Sequence, residues 1–449
     1  MNKNIYFIGI GGIGMSALAR YFAHKGYNIF GYDRTKTDLT EQLSSEGIKI
    51  TYEDDINILP QELDLAIYTP AIHFEDSHIL TELHRRNTPI YKRSQILGLI
   101  SEDKKTLAVA GTHGKTTISG MIAHILFQSP ISCTALLGGI SKNYDTNLLF
   151  NHNEKSKYLV VEADEYDRSF LTLHPFNSVI SAVDADHLDI YNTKENLLSA
   201  FQQFASQTNM KEGTLFVNEK IANLFEGNIE TYSLNNIETD YYAWNIRVYK
   251  GNYYFDFHTP NKVYFDMCLS YPGLHNIENA IVAMGVCLKC GIDEESLRKG
   301  LQSFNGMKRR FDVRVKNNNT IYIDDYAHHP AEIETCIKSI RHLYPDKRIT
   351  GIFQPHLYSR TRDLKDEFIT SLELLDEIIL LDIYPAREQP IEGITSHILF
   401  SNIKKMNKYY VTKDQLLELI PALKPQILLT IGAGDIDKLV KPIEDILQQ

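Results

Sequence analysis

Thr106-Leu107-Ala108-Val109-Ala110-Gly111-Thr112-His113-Gly114-Lys115-Thr116-Thr117 is the stretch on which the reading of this chain turns. Five residues of buried-strand type run into a glycine turn, and the turn opens a helix. The backbone N–H groups of such a loop cradle phosphates, Lys115 reaches the terminal ones, and the Thr116 hydroxyl can ligate Mg2+. The loop is shorter than the usual phosphate loop, whose spacing would place glycine where Val109 stands.

The same alternation continues on both sides. Upstream, the polar run Ser101-Glu102-Asp103-Lys104-Lys105 sets this unit off from an earlier one. There a strand from Ile5 to Ile10 leads through a glycine turn into a helix ending at Ala23, and a second strand ends at Asp33. Leu65–Tyr68 reads as a strand and 77–86 as a helix. Downstream, Tyr158–Glu162 and 178–183 read as strands. Short tyrosine-rich stretches between Tyr232 and Tyr271, such as Tyr253-Tyr254-Phe255-Asp256-Phe257, predict a small antiparallel sheet. After the turn chemistry of Asn317-Asn318-Asn319 the chain again reads strand, helix, strand. Strands alternating with helices indicate parallel sheets wound with helices. The expected fold is α/β in three domains, over 1–102, 103–313 and 314–449, in keeping with about 150 residues per domain.

Composition narrows the function classes. Forty-six basic against 57 acidic residues give a net charge of −11, a poor starting point for general nucleic-acid binding. No apolar run approaches the ~18 residues of a membrane-spanning helix. The N-terminal residues enter a strand pattern at once, which predicts no signal peptide. Five cysteines in 449 residues make no disulfide framework, which fits a cytoplasmic enzyme. Cys287 and Cys290 form a C-x-x-C inside an apolar helical run, where core packing explains them better than zinc.

The other motifs fall at strand ends. Gly9-Ile10-Gly11-Gly12-Ile13-Gly14 matches G-x-G-x-x-G between a strand and a helix, with Asp33 ending the next strand. Its glycines let backbone approach a pyrophosphate on a helix N-terminus, and Asp33 suits a ribose. Alone it fits an NAD-dependent oxidoreductase as well as a nucleotide diphosphate sugar. Glu162-Ala163-Asp164-Glu165 closes a strand where open α/β sheets bind ligands, and its carboxylates suit Mg2+. Asp184-Ala185-Asp186-His187-Leu188-Asp189 repeats that situation, as a second metal site or as a surface histidine in an acidic turn. Asp324-Asp325-Tyr326-Ala327-His328-His329-Pro330 and Gln354-Pro355-His356-Leu357-Tyr358-Ser359-Arg360 end two strands of the third segment, and Gly432-Ala433-Gly434-Asp435 ends a last one. Such ionisable clusters suit an anionic or amine substrate. An oxidoreductase leaves the second loop unexplained. A non-catalytic nucleotide switch leaves the third-segment clusters unexplained.

Two glycine loops with acidic strand ends resemble the Mur ligase family of amide-forming ATPases in bacterial cell-wall synthesis. Gly111–Thr117 resembles its short phosphate loop, His275-Asn276-Ile277-Glu278-Asn279 its H-N-x-x-N element, and Arg309-Arg310-Phe311 its R-R-F element. Residues 9–16, 324–330, 354–361 and 432–435 look most like the branch that adds L-alanine to UDP-N-acetylmuramate; a branch that recycles peptides onto the same UDP-sugar is the alternative. The resemblance implies a Rossmann-like first domain, a P-loop ATPase-like central domain and a Rossmann-like third one. It implies three small-molecule substrates, UDP-N-acetylmuramate, L-alanine and ATP, with Mg2+ as cofactor, and a monomer or homodimer binding neither nucleic acid nor membrane. UDP-sugar would lie on Gly9, Gly11, Gly12, Gly14, Met15, Ser16 and Asp33. ATP would lie on Gly111, Thr112, His113, Gly114, Lys115, Thr116 and Thr117, with Asn276 and Asn279 against the nucleotide. Thr116 and Glu162 would hold the first Mg2+ and His187 a second. Lys115, Glu162, His187, Arg310 and Asp325 would serve catalysis, and Tyr326, His328 and Arg360 would face alanine. Asp184 is one methylene shorter than the family's glutamate, and Leu357 replaces a frequent arginine, which leaves Arg360 as the carboxylate clamp.

Overall fold

A computed structural model describes residues 3–72, 74–151, 156–184, 188–208, 212–227, 229–386 and 388–448. Three α/β sheets form the architecture. Strands β1 (Asn4–Ile8), β2 (Asn28–Tyr32), β3 (Lys49–Thr51), β4 (Leu65–Tyr68) and β5 (Ile90–Lys92) make an all-parallel sheet in the order β3-β2-β1-β4-β5. The order reverses beside β1, so the turn after β1 opens at the switch point where such sheets bind ligands. Ile5, Tyr6, Phe7 and Ile8 are all buried, the continuous apolar pattern of a strand covered on both faces. β1 stops two residues earlier than the pattern predicts, which leaves Gly9 and Ile10 in the turn, with Gly9 at φ +81°.

The second sheet contains β6 (Lys105–Ala110), β7 (Thr134–Ser141), β8 (Thr146–Leu149), β9 (Tyr158–Glu162), β10 (Pro175–Ile180), β11 (Leu215–Asn218) and β12 (Ile229–Tyr232). Its order is β12-β11-β10-β6-β9-β7-β8, parallel except at the β7–β8 hairpin. β10 ends at Ile180, not at Val183 as the sequence pattern predicts. The reason is local: the Ser181 hydroxyl donates to the Ala110 and His113 carbonyls, so 181–184 become the wall of the phosphate loop.

β13 (Tyr242–Tyr249), β14 (Asn252–His258) and β15 (Val263–Leu269) form the small tyrosine-rich sheet in sequential order. The two-residue link between β13 and β14 forces them antiparallel. Cys287 is buried in the helix Leu274–Lys289, and all five cysteines are free thiols.

The third sheet runs β16 (Asp312–Lys316), β17 (Ile321–Asp325), β18 (Ile349–Phe353), β19 (Glu377–Leu380), β20 (Lys408–Tyr410) and β21 (Ile427–Ile431). Its order is β16-β17-β21-β18-β19-β20, with only β16 antiparallel. The chain packs as two compact units: Met1–Arg247, Tyr254–Ser270 and Glu278–Asn305 form one, and Val248–Tyr253, Tyr271–Ile277 and Gly306–Gln449 the other. The first two sheets therefore share a unit. Within it the helix Arg93–Glu102 packs on the turn Tyr166–Thr172 so closely that a Cβ on Gly98 would lie 2.6 Å from the Thr172 carbonyl. Among the described residues no helix is long and apolar enough to cross a membrane.

Candidate active site

Sheet order assembles the site of the first unit. β9, β6 and β10 are neighbours, so their C-terminal ends bring together 162–165, 111–117 and 181–184. Gly111 sits at φ +130° with its Cβ position against Ser181 and, at 2.9 Å, the backbone N of Ala182, so only glycine fits. Gly114 caps the following helix at φ +83°, and Asn279 Oδ1 lies 3.0 Å from where a Cβ would stand. Lys115 Nζ donates to the Gly111 carbonyl at 2.6 Å and to Glu165 Oε1 at 2.8 Å. Burial alone would lower the Lys115 pKa, but the carboxylates of Glu165, Glu162 and Asp164 outweigh it and raise it, so the ammonium stays charged. The Thr116 hydroxyl donates to Glu162 Oε2 at 2.8 Å, and Gly138 leaves room for that carboxylate. A hydroxyl and a carboxylate oxygen at one point are the hard donors Mg2+ takes, with phosphate and water completing its shell.

Asp184 does something its sequence context did not suggest. Its N–H donates to Thr112 Oγ1 at 3.1 Å and its carboxylate stands 3.1 Å from His113 Nε2, so it braces the phosphate loop. Glu165, unassigned from sequence, is the partner of Lys115, and the Tyr191 hydroxyl donates to its backbone carbonyl at 2.6 Å. Its only signal was membership of an acidic strand end. His187 lies outside the described residues.

The first glycine loop is built differently. Gly11 N–H donates to Asp33 Oδ2 at 2.8 Å and Thr35 N–H to Asp33 Oδ1 at 3.0 Å, so both carboxylate oxygens hold backbone. A Cβ on Gly11 would stand 2.8 Å from that carboxylate. Met15 and Ser16 are buried in the core, and the Ser16 hydroxyl donates to the Ile13 carbonyl at 2.9 Å. Any ligand contact from these two is therefore through backbone. Asn147 of β8 donates to Ile13 O and Ser16 Oγ at 2.7 and 2.9 Å and accepts from Arg20, tying the second sheet to the helix that the loop opens.

In the second unit, β17, β21 and β18 are neighbours and their ends converge likewise. Asp325 accepts N–H bonds from Phe311 at 2.7 Å and Ala327 at 2.8 Å, which fastens the Arg309-Arg310-Phe311 element to the strand. Burial pushes its pKa up to about 6, against the pull of Arg310. The Arg309 and Arg310 guanidinium carbons lie 5.2 and 4.9 Å from the Tyr326 ring centre. Asp324, quoted in the strand-end cluster without a role of its own, accepts from Thr430 Oγ1 at 2.7 Å and Arg309 Nε at 3.2 Å, and Arg309 reaches the Gly432 carbonyl at 2.6 Å. His328 packs 6.0 Å from the His356 ring, and its Nδ1 lies 3.0 Å from the Tyr326 carbonyl. That contact makes Nδ1 the protonated nitrogen and leaves Nε2 an acceptor. Burial, only partly opposed by Glu332, lowers the His328 pKa to about 4. Arg360, half-buried, is close enough for its charge to help lower it. Asn276 also belongs to this unit, its amide donated to the Pro272 carbonyl at 2.5 Å.

Three family descriptions match in order: Mur ligase family, catalytic domain, over 4–105; Mur ligase middle domain over 109–287; and Mur ligase, glutamate ligase domain, over 309–434. The chain belongs to the Mur ligase family. A UDP-N-acetylmuramate–L-alanine ligase of Parabacteroides distasonis is 46% identical, with 99% of this chain and 97% of that protein covered. One from Phocaeicola vulgatus is 45% identical over 100% and 98%. The crystal structure of the UDP-N-acetylmuramate–alanine ligase of Thermotoga maritima superposes with a TM-score of 0.84 at 28% identity, covering 99% of each chain. A murein peptide ligase of Psychrobacter arcticus, at 20% identity and a TM-score of 0.70, shares the fold over 100% of this chain and 98% of its own. This Mur ligase thus has the three-domain α/β fold expected from its sequence.

Proposed function

We propose that this Mur ligase joins L-alanine to the carboxylate of UDP-N-acetylmuramate, converting ATP to ADP and phosphate, as a step in building peptidoglycan precursor. The observation that carries this is Lys115 and the Thr116–Glu162 pair on one phosphate loop, in a chain that aligns end to end with alanine-adding relatives. It works in the cytoplasm on small-molecule substrates, as a monomer or homodimer.

A carboxylate does not react with an amine at neutral pH because oxide is too poor a leaving group. Phosphoryl transfer from ATP makes an acyl phosphate, and phosphate leaves when the amino group attacks. The protein's task is to position substrates and neutralise charge on the transferring group. Gly14, in the open first turn of its helix, offers its backbone amide to the UDP diphosphate, while Gly11 and Gly12, their N–H groups held by Asp33 and Gly9, let the ligand approach closely. Lys115, kept charged by Glu165, turns from the Gly111 carbonyl to the terminal phosphates of ATP. Thr116 and Glu162 would hold Mg2+ and His187 would hold a second ion; such a metal, when bound, would supply positive charge to the phosphoryl oxygens. Asn279, beside Gly114, flanks the nucleotide, and Asp325 fastens the Arg309-Arg310-Phe311 element of the second unit. Arg360 pairs with the alanine carboxylate and Tyr326 lines its place. His328, uncharged at neutral pH, offers Nε2 to the amino group and does not repel it.

The test is phosphate release from ATP and Mg2+ with UDP-N-acetylmuramate, with and without L-alanine. Release requiring both, with UDP-N-acetylmuramoyl-L-alanine found by mass, is expected. Release driven by a muropeptide and not by alanine would identify a recycling ligase, and no stimulation by either would overturn the reading.

A further inference from the structure

Two arginines stand along the first-domain helix that the Gly9–Gly14 loop opens, and they differ in how they are used. Arg20 is 3% exposed and saturated: it pairs bidentately with Glu46 at 2.7–3.1 Å and donates to Asn147 at 2.5 Å. Arg93, first residue of the helix after β5, is 17% exposed. Among the described residues its one polar partner is Asp164, at a long 3.4 Å. A guanidinium carries five N–H donors, so most of its capacity is idle.

Its position is specific. The three atoms nearest to a Cβ built on Gly14 all belong to Arg93, the closest being Nη1 at 2.8 Å. The last glycine of the motif therefore makes room for this side chain. Gly14 is in the first turn of its helix, where free N–H groups carry positive partial charge. A cation there is repelled unless an anion joins them. The Mur ligase reading supplies that anion, the diphosphate of a UDP-sugar.

On that reading, we infer that Arg93 turns away from Asp164 and donates to a phosphate oxygen of the UDP-sugar diphosphate above Gly14. A guanidinium fork matches phosphate geometry bidentately, and the loop amides hold the same group from the other side. Arg93 also stands between the first glycine loop and the strand end that carries Glu162, on the path a substrate spans from one loop to the other.

Binding of UDP, UDP-N-acetylmuramate and ATP is measured by calorimetry on the full chain for wild type, R93A, R93K, G14A and the G14A/R93A double variant, with wild-type ligation assayed alongside. Arg93→Ala is expected to weaken UDP and UDP-N-acetylmuramate alike by at least ~10-fold, the range of a charged hydrogen bond, with ATP changed less than ~2-fold. Arg93→Lys falls between. Gly14→Ala pushes the guanidinium aside and costs a similar factor, but little more once Arg93 is gone. Three results overturn the inference: unchanged UDP affinity in R93A, loss confined to UDP-N-acetylmuramate, or a parallel loss of ATP affinity. Wild-type turnover with R93A affinity unchanged defeats this inference alone, whereas UDP binding lost in R93A without any wild-type ligation defeats the ligase reading alone.

Discussion

The two glycine loops solve one problem with different materials. Both follow a parallel strand at the centre of its sheet and open a helix. The second carries its charge within its own motif: Lys115 directly follows the Gly111-Thr112-His113-Gly114 turn, and its acidic partners come from the end of the neighbouring strand. The first has no ionisable side chain between Gly9 and Ser16. Asp33 rigidifies it, Asn147 holds the start of its helix, and the cation beside Gly14, Arg93, comes from just beyond β5. A phosphate loop that must follow a moving γ-phosphate benefits from a mobile point charge, whereas a loop that only holds a diphosphate can rely on fixed amides.

The comparison can be broken most sharply at Lys115. Lys115→Ala should lower ligation by ~10³-fold or more while UDP affinity stays within ~2-fold, since the loss of transition-state charge stabilisation is confined to one loop. A turnover assay paired with UDP titration decides it, and near-normal turnover would remove the distinction between the loops. Glu162→Gln should cost ~10²-fold in kcat and raise the Mg2+ concentration needed for half-maximal rate, because an amide oxygen is the weaker ligand. A Mg2+ titration with unchanged half-saturation would displace Glu162 from the metal.

Asp33→Asn probes the first loop. It should raise KM for the UDP-sugar by about 10-fold, from a lost charge-assisted bond to the Gly11 amide, with KM for ATP unmoved. An equal rise in both would mean that the loops are not independent.

Acid sensitivity reaches the second loop through the helix that it opens. Burial holds His124, His275 and His328 neutral, each lowered to about 4. The unfolded chain, with histidines near 6.5, binds more protons between those values, so stability falls as pH drops from about 6.5 towards 4, by no more than about 3 kcal/mol per histidine. Asp325, raised to about 6 by burial, acts in the opposite sense over part of that window. His124 lies in the last turn of the helix that the second loop opens, bonded to Ser303 and Tyr144 at 2.9 Å. Denaturant melts at pH 7 and 5 should show a smaller pH dependence in His124→Gln than in wild type.

Much of this was legible along the chain. Leu65–Tyr68 and Tyr158–Glu162 are strands with the bounds their apolar runs predict, because a strand buried on both faces is apolar along its length. The glycine loops were readable because a positive φ or a close backbone approach leaves glycine as the residue that fits. Ser16 was not readable: its hydroxyl points into the core, and nothing in Gly14-Met15-Ser16 says which way the first turn faces. Asp184 kept its strand-end position but took a partner, His113, seventy-one residues earlier.

The elements, the glycine turns and the family follow from the order of residues, because they rest on local periodicity and on residues whose backbone demands are their own. Tertiary structure decided the partnerships. The pairing of Lys115 with Glu165, of Asp325 with Phe311 and of Gly14 with Arg93 depends on which strands lie side by side. Strand order is set by long-range packing of faces, and no spacing along the chain encodes it.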